Sequence, residues 1–373
     1  MPIKIGIIGK TNTGKTTFFN SATLSSAEIS TYPFTTKKPE SAAANAITLC
    51  VHPEFNVKDN PKNSRCVDGW RYIPIDLIDL PGLIKDAWQG KGLGNQFLSV
   101  AAQSDALLHV VDVSGGIDSS GKITEAGSGD PISDFADIEE ELTMWYLKIL
   151  EGNRDKVSKN IRSGIEKIIA IADLYRGIGV SNSHVKEALR VAEVEDKEFD
   201  DIGIRESKKF ATVLRKISKP TIIVANKIDV DGADKNFARL RERYNDTIVV
   251  PASADSELSL RRAEQKGLIK YSPGSEQFDI LNPTDLSQKQ KSALEFITKE
   301  IMGEYMRTGV QFAINVTVFK LLKMNAIYPV ADEEKLSDKK GNILPDLILL
   351  KDGATVADLA KKIDRKSTRL NSS

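Results

Sequence analysis

Residues 3–8 read IKIGII and run straight into Gly9-Lys10-Thr11-Asn12-Thr13-Gly14-Lys15-Thr16. The apolar run reads as a buried strand, and the octet fits G-x-x-x-x-G-K-[ST], the loop that cradles nucleotide phosphates. No other feature restricts the chain so tightly. Such a loop joins a strand to a helix, and the helix N-terminus faces the same anion as the loop. Gly9 and Gly14 let the backbone wrap, so that successive N–H groups form an anion nest. Lys15 is expected to reach the β- and γ-phosphates and Thr16 to place its hydroxyl on Mg2+. Thr13 and Thr17 complete the phosphate-binding set.

Two further motifs follow predicted strands. Asp79-Leu80-Pro81-Gly82 closes the apolar run IDLID. Asp79 is placed to bind magnesium through water, and Gly82 to donate its N–H to the γ-phosphate and sense its loss. Asn226-Lys227-Ile228-Asp229 follows the strand TIIVA. A carboxylate at Asp229 accepts from guanine N1–H and the 2-amino group, donors that adenine lacks, and an unmatched polar group in a desolvated site is costly. Lys227 is expected to pack its stem over the base and Asn226 to tie this loop to the phosphate loop. Ser253-Ala254, after the next strand, is expected to bring a backbone N–H to guanine O6. The pattern therefore favours GTP over ATP.

A threonine between the first helix and the second strand completes the magnesium shell in such sites. Thr35 and Thr36 both qualify, and Thr36 is favoured. Leu83 stands where a water-orienting glutamine is usual and cannot polarise water, so slow intrinsic turnover is expected. Asn12 has two readings, a ligand for K+ beside the phosphates or a backbone tie. Lys15, Thr36, Gly82 and Asn12 are thus the candidate catalytic set. Gly90-Lys91-Gly92-Leu93-Gly94-Asn95-Gln96-Phe97 reads as a mobile switch.

Strands are predicted at 3–8, 46–52, 72–79, 106–112, 221–226 and 247–250, with helical patterns between several of them. A mostly parallel sheet covered by helices is the economical fold, and the 40% apolar content supports a real core. The span between Asp112 and Thr221 is far longer than a crossover needs. Residues 114–134 read as a loop, and 137–150, 157–176, 183–195 and 204–217 as helices. This gives a G domain over 1–136 and 217–307, with a helical insertion at 137–216. Helices are predicted at 256–267, 285–306 and 309–324. Short strands at 327–330 and 344–350 and a helix at 355–363 then outline a small, incomplete β-rich module over 308–364, followed by a tail at 365–373.

Equal numbers of basic and acidic residues, 52 each, leave no net charge to draw the chain to DNA or a membrane. A local basic patch facing RNA remains compatible with that balance. Cys50 and Cys66 read as ordinary reduced cysteines, His109 as a core or edge residue of its strand, and His52 and His184 as isolated, with no histidine pair at metal-ligand spacing. The first strand begins by Ile3, and no apolar stretch has the length of a spanning helix, so a cytoplasmic protein is expected. No motif demands a dimer, so a monomer is expected.

The phosphate loop, Tyr32-Pro33-Phe34-Thr35-Thr36, the Asp79–Phe97 stretch and the C-terminal segment together resemble the Obg-related translation-factor GTPases, most closely the archaeal branch near YchF and the Obg-like ATPases. The resemblance implies a Ras-like P-loop domain, a nucleoside-triphosphate switch with a hydrophobic residue, here Leu83, in the glutamine position, and a C-terminal TGS domain beginning near Ile327. It also implies association with the ribosome or its RNA. The YchF subgroup typically carries Asn-x-x-Glu-like base loops and prefers ATP. Asp229 departs from that pattern toward GTP. An ATP-hydrolysing switch and a nucleotide-dependent binding module with negligible turnover are the alternatives.

Overall fold

The computed structural model describes residues 2–24, 39–82, 88 and 100–370. Strand β1 (Lys4–Ile8) leads through the phosphate loop into helix α1 (Lys15–Thr23). Strands β2 (Glu40–Leu49), β3 (Arg65–Val67), β4 (Trp70–Asp79) and β5 (Ala106–Asp112) follow. Five helices come next: α2 (Pro131–Glu151), α3 (Arg154–Arg162), α4 (Lys167–Tyr175), α5 (Asn182–Val191) and α6 (Ile204–Ser218). The chain returns to the sheet as β6 (Thr221–Asn226), α7 (Ala233–Arg243), β7 (Val249–Ala252) and α8 (Ala254–Gln265).

The sheet has the order β2-β4-β1-β5-β6-β7, with β3 paired to β4. Along the order β4-β1-β5-β6-β7 the strands pair in parallel, with Ile7 beside Asp79, Ile8 beside His109, Asp112 beside Asn226 and Asn226 beside Ala252. All seven residues of β5 are buried, as a strand covered on both faces requires. His109 lies in that strand, buried, 4.6 Å from the Phe135 ring and 3.7 Å from Glu139. Burial pushes its imidazole pKa down, so it is a neutral core residue. The parallel register brings the ends of β4, β1, β5, β6 and β7 to one edge of the sheet, where ligands of such folds bind.

Several predicted boundaries are corrected. β2 begins at Glu40 and stops at Leu49, so His52 leaves the strand; the Ala-rich start ESAAANA lacks the β-branched residues that mark strands. The β3–β4 hairpin was not predicted, although its Asp68-Gly69 turn, with φ of 49° and 82°, carries the strongest short hairpin signal. Helix α2 starts at Pro131, inside the predicted loop, because proline suits the first helical position. The helix predicted at 157–176 is two helices, parted around Gly164 at φ 96°. β7 lies two residues later than predicted, and a two-residue hairpin, Ile269–Lys270 with Asp279–Ile280, is additional.

The five central helices share an apolar core with one face of the sheet, from Ile8, Ile78 and Leu107 through Leu142 and Tyr146 to Phe210 and Leu214. Within it the Tyr146 and Tyr175 rings stack at 5.5 Å, and the Tyr175 hydroxyl donates to the Tyr146 carbonyl at 2.8 Å.

The chain divides into two compact units, Met1–Ala44 with Ile75–Ala313 and Asn45–Pro74 with Ile314–Ser373. In the second, β10 (Met324–Ile327) pairs antiparallel with β11 (Ile348–Lys351), the hairpin strands at 269–270 and 279–280 being β8 and β9. The first strand ends before Tyr328, since Pro329 has no N–H for a ladder. The second starts only after Leu344, at φ 43°, and Pro345. The last helix runs from Val356 to Leu370, through most of the predicted tail. Residues 45–74 are woven into this unit: Asn60 N–H donates to the Ile343 carbonyl, Lys62 N–H to the Pro345 carbonyl, and Asn63 exchanges two bonds with Leu347.

Candidate nucleotide site

The phosphate loop turns on three residues with positive φ: Gly9 at 144°, Asn12 at 64° and Gly14 at 95°. A Cβ at Gly9 would stand 2.3 Å from the Val110 carbonyl oxygen, and one at Gly14 would stand 2.2 Å from Asn226 Nδ2. Both positions therefore need glycine for space as well as for backbone conformation. A cleft of about 480 Å3 opens at this edge, lined by Thr11, Asn12, Gly14–Thr17, Leu80–Gly82, Ile123 and Lys227.

Lys15 is buried in the loop, its Nζ donating to the Lys10 carbonyl at 2.6 Å. Burial pushes its pKa down to about 8, against the pull of the Asp79 charge. Such a lysine is poised to gain a partner of opposite charge. Thr16 donates through Oγ1 to Asp79 Oδ2 at 2.7 Å. A hydroxyl and a carboxylate side by side are hard oxygen donors of the kind Mg2+ takes, so these residues fit that ion. Gly82 packs on the loop, where a Cβ would lie 2.5 Å from Thr11 Oγ1 and 2.9 Å from Thr11 Cα. Thr13 is buried and bonds back to the Lys10 carbonyl at 3.1 Å.

Asn226 joins three loops. Its Nδ2 donates to the Thr13 carbonyl at 2.8 Å, and its Oδ1 accepts from Ala254 N–H at 3.1 Å. Lys227, at φ 64°, pairs through Nζ with Asp112 Oδ2 at 2.7 Å. Asp229 stands half-buried two residues on. Ser253-Ala254, expected to offer an N–H to guanine O6, stands beside this loop. The Ala254 N–H is taken by Asn226 and the Ser253 N–H by the Thr308 carbonyl at 2.9 Å, while the Ser253 hydroxyl caps α8 through Ser256 N–H.

Asn12 donates its amide to the Gly121 carbonyl at 2.9 Å, which fastens the 114–129 loop over the phosphate loop. That geometry is the backbone tie, one of the two readings of this residue. Thr35, Thr36, Leu83 and Gly90–Phe97 lie outside the described residues.

Sequence reasoning missed three supports. Asp112 holds Lys227 and also accepts from Ser114 N–H and Oγ. Lys10 pairs with Asp134 at 2.8 Å and Asp137 at 2.7 Å, joining the phosphate loop to α2. Under the Ser253 loop, buried Glu257 accepts from Tyr271 Oη at 2.8 Å and from Thr308 Oγ1. Only Asp112, at a strand end, carried a local signal; the others are partners distant in sequence.

A strand, phosphate loop and helix, with a magnesium-type donor pair and a tied base loop at one sheet edge, define a P-loop nucleotide-binding domain. Residues 4–133 match the family of 50S ribosome-binding GTPases, and residues 224–332 match the G4 motif-containing domain of YGR210-like Obg-like GTPases. A GTP-binding protein of Methanocaldococcus jannaschii is 41% identical over 363 residues, covering 96% of this chain and 89% of that one. The ribosome-binding ATPase YchF of Bacillus subtilis is 30% identical over 278 residues, covering 71% and 70%. The crystal structure of a GTP-binding protein from Pyrococcus horikoshii superposes with a TM-score of 0.76 at 32% identity, covering 97% of this chain and 89% of that one. The chain belongs to the Obg-like, YchF-related family of GTPases.

Proposed function

We propose that this protein is a guanine-nucleotide switch that hydrolyses GTP slowly to GDP and phosphate with Mg2+, and that it works in contact with the ribosome or its RNA. The base loop carries the reading of the nucleotide. Asn226 fixes it to the phosphate loop and to α8, Asp112 holds Lys227, and Asp229 supplies the carboxylate that guanine's two donors match. Thr16 and Asp79 would hold the magnesium, which when bound neutralises charge on the outer phosphates. Lys15 exchanges the Lys10 carbonyl for phosphate oxygens, and the Gly14 N–H and α1 N-terminus face the same charge. Leu83 offers no hydrogen bond to an attacking water, which limits the chain's own rate. We assign Asn12 to loop fastening rather than to K+. Ribosome contact rests on relatives: a YchF protein named as ribosome-binding, and a family model described as 50S ribosome-binding.

The same YchF relative is named an ATPase, so base choice is the point to test. Binding of labelled GTP and ATP to the purified chain with Mg2+, followed by phosphate release in Na+ and in K+, separates the readings. The expected result is a GTP preference on the order of 100-fold that Asp229→Ala largely removes, and slow release indifferent to K+. Equal or tighter ATP binding would move the protein to the ATPase branch. Faster release in K+ would return Asn12 to the cation.

A further inference from the structure

Away from the nucleotide cleft, four side chains with metal-ligating atoms converge. Cys50 follows β2, His52 and Asp59 sit in the following stretch without helix or strand, and Cys66 is the middle residue of β3. One ligand atom from each lies within 4.8 Å of all the others. Cys50 Sγ is 3.4 Å from Asp59 Oδ2, Cys66 Sγ is 3.6 Å from His52 Nδ1, and His52 Nδ1 is 3.6 Å from Asp59 Oδ2. A tetrahedral zinc with Zn–S of about 2.3 Å and Zn–N or Zn–O of about 2.0–2.2 Å separates its ligands by about 3.3–3.8 Å. These three distances fall in that range.

We propose that Cys50, His52, Asp59 and Cys66 form a structural zinc site that staples residues 50–66. Two thiolates and an imidazole select a borderline-soft ion over Mg2+ or Ca2+. Four protein ligands close the tetrahedron, the mark of a structural rather than a catalytic site. Charge also balances. Zinc with two thiolates, one carboxylate and a neutral imidazole carries one net negative charge, and Arg71, fully buried, sets its Nη1 3.3 Å from Asp59 Oδ2. The Tyr328 hydroxyl reaches Cys50 Sγ at 3.8 Å, a donor suited to a bound thiolate. On binding, the two thiols release their protons to solvent. The staple would hold the segment within which Asn60 and Lys62 donate their N–H groups to the Ile343 and Pro345 carbonyls. The sequence does not announce this cluster, because the spacing C-x-H-x6-D-x6-C contains no paired C-x-x-C and its ligands meet only once the β3–β4 hairpin folds.

The test uses the full chain without a histidine tag, purified in reductant. Elemental analysis is expected to find one zinc per chain after gel filtration. Stripping with a chelator and refilling the wild-type chain with Co2+ is expected to give intense visible bands of tetrahedral cobalt with thiolate-to-metal charge transfer. Cys66→Ser should lose the metal and those bands. Arg71→Met should keep the spectrum while weakening Co2+ affinity about 10- to 100-fold. A wild-type chain that holds no zinc and leaves cobalt with the weak spectrum of its hexaaqua ion would overturn the proposal. So would a Cys50–Cys66 disulfide in the protein as isolated from cells under thiol-blocking conditions. The cobalt measurement on the wild-type chain does not depend on a variant's folding.

Discussion

At the scale of single residues, Lys15 carries the most testable chemistry. Its ammonium is buried against a carbonyl, and burial pushes its pKa down to about 8. Bound phosphate would raise that value, so nucleotide affinity is fully present below pH 8 and falls about tenfold per pH unit above it. Titration calorimetry across pH 7 to about 9.5 checks this, with proton uptake on binding at the upper end. The sign for folding is opposite. The unfolded chain keeps this lysine protonated up to the ordinary lysine value of 10.5, so between about 8 and 10.5 its contribution to stability rises with pH. A pH-independent nucleotide affinity would show that Lys15 is already paired in the nucleotide-free protein. The residue types here were legible in the sequence. What was not legible is that the Lys15 ammonium turns onto Lys10 and that the Ala254 N–H donates to Asn226 Oδ1.

Among the elements, the coupling of phosphate loop to base loop decides whether the site exists. Gly14 and Asn226 meet so closely that a Cβ at position 14 overlaps the Asn226 amide. Gly14→Ala is expected to cost about 1–2 kcal/mol for the left-handed backbone, and more for displacing that amide. Asn226→Ala leaves the Thr13 carbonyl and the Ala254 N–H without their buried partner, at about 1–3 kcal/mol each. The two losses should not add. With the Asn226 amide already gone, Gly14→Ala should cost less, by a coupling of about 0.5–3 kcal/mol in denaturant unfolding. Additive costs would mean the loops are held apart from this contact. The strands themselves were readable because β1, β5 and β6 are buried on both faces and therefore continuously apolar. β2 and β3 were harder. One is alanine-rich, and the other is three residues whose partner is set by a two-residue turn.

For the whole molecule, two compact units give two independent readouts. Nucleotide at about 100 times its dissociation constant should stabilise the unit that contains the phosphate loop by about 2.7 kcal/mol. In hydrogen exchange this is about 100-fold slower exchange at the most protected amides of β1, β5 and β6. Zinc chelation should instead accelerate exchange in 45–74 and in β10 and β11. Loss of protection in the nucleotide unit on chelation would place the metal's effect elsewhere than the C-terminal unit. By itself the sequence determined the phosphate loop, the Asn226–Asp229 motif, the parallel sheet and the GTPase family, because each is written in neighbouring residues whose chemistry acts over a few ångströms of chain. Only the tertiary structure decided what holds those pieces in place. Lys10 finds Asp134 and Asp137, Glu257 finds Thr308, residues 45–74 join 314–373, and Cys50 and His52 meet Asp59 and Cys66. Those partners are separated along the chain by loops whose closure leaves no periodic or compositional trace, so folding alone brings them within bonding distance.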